Sequence, residues 1–147
     1  MMLSDVRDYI ESLSLAEHVY SGKLDAKEEK SIGVYNSKHC HAYSTALGGR
    51  AMESYGTRYV TFLVHWSRFQ RETEKAAEAL FNAIRDACEA AVNGQQIKFI
   101  QPLVSGPVDV GTDGAGIYEM AIEAAVIYQR KEEGDAGNEE DGGISRI

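Results

Sequence analysis

The residue pattern predicts an α+β protein: a mixed or antiparallel β-sheet, one long helix packed on one of its faces, and a short helix at the N-terminus. Three stretches carry that prediction. In 57–66, Val60, Phe62, Val64 and Trp66 alternate with Tyr59, Thr61, Leu63 and His65, the period of two expected of a strand, with strand-forming side chains on both faces. In 71–92, Ala77, Leu80, Phe81, Ile84, Cys88 and Ala91 recur at helical spacing. In 117–130, Tyr118, Met120, Ile122, Ala124, Val126 and Tyr128 alternate once more. The order helix, strands, helix, strands calls for a sheet backed by helices.

Taken from the N-terminus, Ser4 is placed to cap a helix over 4–14, in which Val6, Tyr9, Ile10 and Leu13 fall on one face. A short strand is expected at 19–24 and a charged, solvated turn at 25–30. Ile32 and Val34 then mark a strand at 31–36. The stretch 37–56 holds Gly48, Gly49 and Gly56 without a sustained period and is expected to be a long loop, a feature often tied to function. The strand 57–66 follows. The helix 71–92 begins with Glu72, Glu74 and Glu78, which suit the positive end of its dipole, and Asn93-Gly94 reads as its stop. A strand at 96–105 contains Pro102, which argues for an edge or a bulge. A glycine-rich connection, 106–116, leads into the last strand, 117–130.

The chain has 147 residues, 44% of them apolar and 26% charged. That is enough for one domain with a real core, expected over 1–131. No apolar run approaches the roughly 20 residues that span a bilayer, and the N-terminus does not read as a secretory signal. The net charge of −8 argues against a nucleic-acid binder, which needs a basic patch to neutralise phosphates. Half of that charge lies beyond Arg130, where six acidic residues from Glu132 to Asp141 face only Lys131 and Arg146. The segment 132–147 is therefore expected to be a disordered acidic tail. Two cysteines, Cys40 and Cys88, make no disulfide framework and are expected to be reduced.

Motifs for chemistry are sparse. His39, Cys40 and His41 are metal-ligand types, and His65 could join them from a neighbouring strand, but a second ligand pair is missing. Asp109 to Gly114 fails as a calcium loop, with Gly111 at the third position and Met120 at the twelfth, and reads as a loop between strands. Glu119 and Glu123 fall on the face opposite the apolar stripe, where solvated carboxylates are expected. Cys88, on the helix stripe, is expected to be buried, and Trp66 to pack in the core. No nucleophile motif and no cofactor site is visible, so no enzyme activity is expected.

Several stretches together resemble a known family. They are Gly22-Lys23-Leu24-Asp25, the run from Lys30 to Asn36, Ala46-Leu47-Gly48-Gly49, Leu63-Val64-His65-Trp66, the run from Glu72 to Ala77, and Gly106-Pro107-Val108-Asp109-Val110-Gly111-Thr112-Asp113 leading into Gly116-Ile117-Tyr118-Glu119. In order and with short gaps from about residue 4 to 130, the chain resembles the minor capsid protein family of tailed bacteriophages and prophages. That family is similar to the tail terminators of long-tailed phages, from which the chain departs over 37–56. The resemblance implies a structural virion protein assembled in the host cytoplasm. It implies self-association into a ring, usually of six, that ends the tail tube and meets the head connector while DNA passes through the lumen. It also points to Gly48, Gly49, Asp109, Thr112, Asp113 and Tyr118 as contacts between copies or with partners. A small metal- or ligand-binding module using His39, Cys40 and His41 is the competing expectation, and a plain host interaction domain is a third.

Overall fold

A computed structural model describes residues 1–25, 27–38, 43 and 45–130. The expected tail, 132–147, and the His39-Cys40-His41 triplet lie outside the described residues. The chain is α+β, as its pattern predicts. Helix α1 (Leu3–Ser12) is followed by β1 (His18–Ser21), β2 (Ser31–Asn36), a short 3-10 turn at Arg50–Met52, β3 (Tyr55–His65), α2 (Gln70–Asp86), β4 (Cys88–Val92), β5 (Gln95–Pro102), β6 (Val108–Thr112) and β7 (Tyr118–Gln129).

The long strands β3 and β7 are the spine of one sheet. They pair antiparallel over their whole length, from Tyr55 opposite Gln129 to His65 opposite Glu119. The sheet order is β1-β2-β3-β7-β5-β4, with β6 laid against the start of β7 where β5 has left off. Only β1 and β2 run parallel, so the sheet is mixed. Val60, Phe62 and Val64 of β3 share one face with Ile122, Ala124 and Val126 of β7, and all six are 0% exposed. Onto that face pack Val6, Tyr9 and Ile10 of α1 and Ala77, Leu80, Phe81 and Ile84 of α2, the two stripes that helical spacing marks.

The sheet curls around the helices, and α1 ties its two outer edges together. Arg7 Nε donates to the Val19 carbonyl on β1 at 3.0 Å. Asp5 accepts from Asn93 at 2.9 Å and from Gln95 at 2.8 Å, at the β4–β5 turn. Asp5 also accepts the Met2 backbone N–H at 2.8 Å, so this carboxylate, rather than Ser4, secures the first turn, and the cap falls two residues earlier than expected, at Met2.

Four expectations are corrected. Helix α2 stops at Asp86, and Cys88–Val92 is a strand paired with β5. Asn93 and Gly94, with φ of 50° and 76°, form the two-residue hairpin turn between them, not a helix stop. Cys88 is consequently exposed. The glycine-rich connection contains a strand, β6, whose Gly111 at φ 107° accompanies a register shift against β7. Pro102 ends β5 beyond the residues that β4 pairs, so it sits at a local edge as expected, and a register shift also falls between Ile97 and Phe99.

Candidate functional site

The face of the sheet away from the helices carries the polar constellation. His65 ends β3 and is 0% exposed. Its register partner is Glu119, and His65 Nδ1 lies 2.7 Å from Glu119 Oε2. Which of the two atoms donates follows from the tautomer of the ring. On the other side of the ring, Nε2 lies 3.7 Å from Asp113 Oδ2. Asp113 is held by its own turn: Oδ1 accepts the N–H groups of Ala115 at 2.9 Å and Ile117 at 3.0 Å. Those backbone donors, Ile117 foremost, together with the nearby imidazole, hold its carboxyl below the ordinary 3.8 against the opposing effect of burial. The side chains of Asp113 and Glu119 are each 18% exposed.

Further along the same face, Glu123 accepts from Ser37 at 2.7 Å and from Thr61, its register partner, at 2.5 Å. Tyr35 fills the space over Gly33, where an added Cβ would come within 2.6 Å of its ring. Burial and then the Glu119 charge raise the pKa of its hydroxyl. Glu119 and Glu123 are therefore half-buried hydrogen-bonding groups, not the solvated pair expected.

At the opposite end of the β3–β7 pair lies a cleft of about 420 Å³ lined by Tyr43, Met52, Tyr55, Tyr59, Tyr128 and Arg130 among others. The Arg130 guanidinium sits 5.4 Å over the Tyr43 ring and its Nε lies 3.2 Å from Glu53. The Tyr43 hydroxyl donates to the same carboxylate at 2.6 Å, which raises its pKa.

The residues that the resemblance singles out divide between these two ends. Asp109, Thr112, Asp113 and Tyr118 belong to β6, the following turn and the start of β7. Gly48 and Gly49 precede the 3-10 turn beside the cleft, where a Cβ on Gly48 would meet the Met52 side chain. Asp109 Oδ1 accepts the Gly111 N–H at 3.1 Å. The Tyr118 backbone bonds to Trp66 and Ser67, anchoring the start of β7 to the end of β3. Trp66 packs half-buried against the core. The Glu119 and Arg130 contacts escape sequence reading, because nothing local announces a cross-strand partner.

Compared with protein-family models, with curated proteins and with solved structures, the chain matches none. No helix among the described residues is long and apolar enough to cross a membrane.

Proposed function

We propose that the chain is a structural virion protein of a tailed phage or prophage, a minor capsid or tail-terminator protein whose copies form a ring at the end of the tail tube and join it to the head connector. The motif resemblance supplies the identity of the assembly. One observation supports it physically: the chain carries two unlike apolar surfaces at opposite ends of its longest strand pair.

The first surface is β6, whose pairing among the described residues is with β7 alone. Its Val108 and Val110 are 51% and 54% exposed. The second is the approach to β3, where Tyr43, Leu47, Met52 and Tyr55 are all more than half exposed. The eleven residues of β3 separate the two by roughly 35 Å. A closed ring of more than two copies needs head-to-tail contacts, in which one patch of each copy meets a different patch of the next. Exposed strand edges and apolar residues are liabilities in a monomer and assets in such a contact. The net charge of −8 suits a lumen through which DNA passes without adhering.

Native mass spectrometry of the full chain at two concentrations tests the reading. A species of about six chains that grows with concentration is the expected result. A single-chain species that persists at both concentrations, and on incubation with polymerised tail tubes, overturns it.

A further inference from the structure

We propose that the acidic segment 132–141 of the chain folds back onto a cationic patch made by Lys38, Arg58 and Arg130, at the end of the sheet where β3 begins and β7 finishes. The assignment is independent of ring assembly. Across the β3–β7 pair, Arg58 stands opposite Val126 and Gly56 opposite Tyr128, so these four residues share one face of the sheet. The Arg130 side chain turns back over that face: a Cβ added to Gly56 would come 2.9 Å from Arg130 Nη2. Gly56 and Arg58 are one pleat repeat apart, roughly 7 Å, which makes the two guanidinium groups neighbours. The Ser37 N–H donates to the Tyr59 carbonyl at 3.1 Å. That bond carries the β2–β3 pairing one residue past Asn36 and brings exposed Lys38 to the level of Arg58.

Unmet charge and unmet donors select the occupant. The chain carries −8 overall, yet between residues 36 and 60 its charged carboxylate is Glu53 alone, against Lys38, Arg50 and Arg58. Glu53 is committed to Arg130 and Tyr43. Lys38 and Arg58 have no carboxylate partner among the described residues. Arg58 donates to Asn36 Oδ1 at 2.6 Å, but its buried Nε has no acceptor among the described residues. Arg130 Nε lies 3.2 Å from Glu53 without hydrogen-bond alignment. A buried donor without an acceptor is costly, and a carboxylate answers donor and charge together. Six carboxylates follow Arg130 directly. Glu132 is within about 7 Å of it along the chain and Asp135 within about 17 Å. So short a tether holds them at an effective concentration of about millimolar or more. One exposed ion pair contributes little, whereas six carboxylates facing one patch act together.

The test is carbodiimide cross-linking of the full chain carrying Arg58→Lys, which keeps the cation and supplies an amine that the reagent can join to a carboxylate. Digestion and mass spectrometry read the links. Lys30 bonds to the Trp66 carbonyl and Lys75 follows Glu74 beside Tyr118, so both mark the other end of the sheet. Links from 132–141 to position 58 and to Lys38 are expected to exceed those to Lys30 and Lys75 by about tenfold. They are expected to fall severalfold when salt rises from about 0.05 to about 0.5 M. The wild-type chain is expected to give the same Lys38 links, so the test stands even if Arg58→Lys fails to fold. Even yields across the four positions, or Lys38 links that salt leaves unchanged, overturn the proposal. In an equal mixture of heavy-nitrogen and unlabelled chains, links are expected within one isotope. Mixed-isotope links overturn the own-chain assignment and place the segment on a second copy.

Discussion

Asn93 donates to Asp5 across 2.9 Å and to Asp8 across 2.8 Å, so a side chain at the β4–β5 turn holds the first turns of α1 from 88 residues away in the chain. The same residue adopts φ 50°, which asparagine tolerates better than most. Asn93→Ala therefore removes two charge-assisted bonds and places a less tolerant residue in the left-handed region. A loss of about 2–4 kcal/mol is expected in urea unfolding. Asn93→Gly, which removes the bonds but suits the backbone, should lose less. Equal losses would mean that the tie to α1, and not the turn conformation, governs stability here, whereas a loss confined to Asn93→Ala would give that role to the turn.

Asp5 makes stability depend on acid. Burial, the largest influence, raises its pKa. The donors Asn93, Met2 and Gln95 together outweigh it and bring the carboxyl below 3.8. A folded value below the unfolded one means that the stabilisation is fully present above about pH 4 and is lost as pH falls through the folded value. Asp113 is shifted in the same direction. The stability gap between wild type and Asp5→Asn should accordingly be flat from pH 5 to 7 and shrink below about 4. Chemical unfolding at a series of pH values reads it, and a gap that widens on acidification would reverse the sign argued here.

Cys88 reports directly on where α2 ends. In a Cys40→Ser chain, the exposed Cys88 thiol should react with a disulfide reagent in the native protein at a rate within about tenfold of that in denaturant. Strong protection would return Cys88 to the buried helical stripe. By contrast Leu80, 0% exposed on the same helix, belongs to the core, and Leu80→Ala should lose about 2–5 kcal/mol.

These cases also mark what local pattern can and cannot disclose. The strands β3 and β7 were legible because Val60, Phe62, Val64 and Ile122, Ala124, Val126 alternate over a whole strand, and one buried face enforces that alternation. The end of α2 was not, because Cys88 and Ala91 continue a helical spacing by accident. Asn93-Gly94 serves equally well as a helix stop or a hairpin turn. Pairing of Cys88–Val92 with β5, a non-local fact, decides between them. The same holds for the polar triad. Alternation put Glu119 and Glu123 on the face opposite the core, but only the register of β3 against β7 shows that this face brings them to His65 and Thr61. Strand β6 was hidden by Gly111 and Asp109, which are poor strand formers.

The ring reading makes a prediction that a symmetric dimer does not share. If Val108 and Val110 on one copy meet the Leu47 and Met52 region of the next, then Val110→Lys blocks one half of every contact and Met52→Lys blocks the other half. Each variant alone should be a single chain by native mass spectrometry while remaining folded, since both residues are exposed and exposed substitutions alter stability by about 0.5 kcal/mol or less. Mixed in equal amounts, the two retain one intact pair of surfaces between them: the β6 side of the Met52→Lys chain and the loop side of the Val110→Lys chain. The mixture should therefore yield a species of two chains, one of each variant, that stops there because both of its outer surfaces are blocked. An isologous contact uses the same patch on both copies, so mixing variants at two separate patches would give a different result. One variant would still pair with itself, and the mixture would show self-dimers of that variant. Two-chain hybrids support head-to-tail closure through these surfaces, whereas self-dimers or unaltered rings in either variant exclude it.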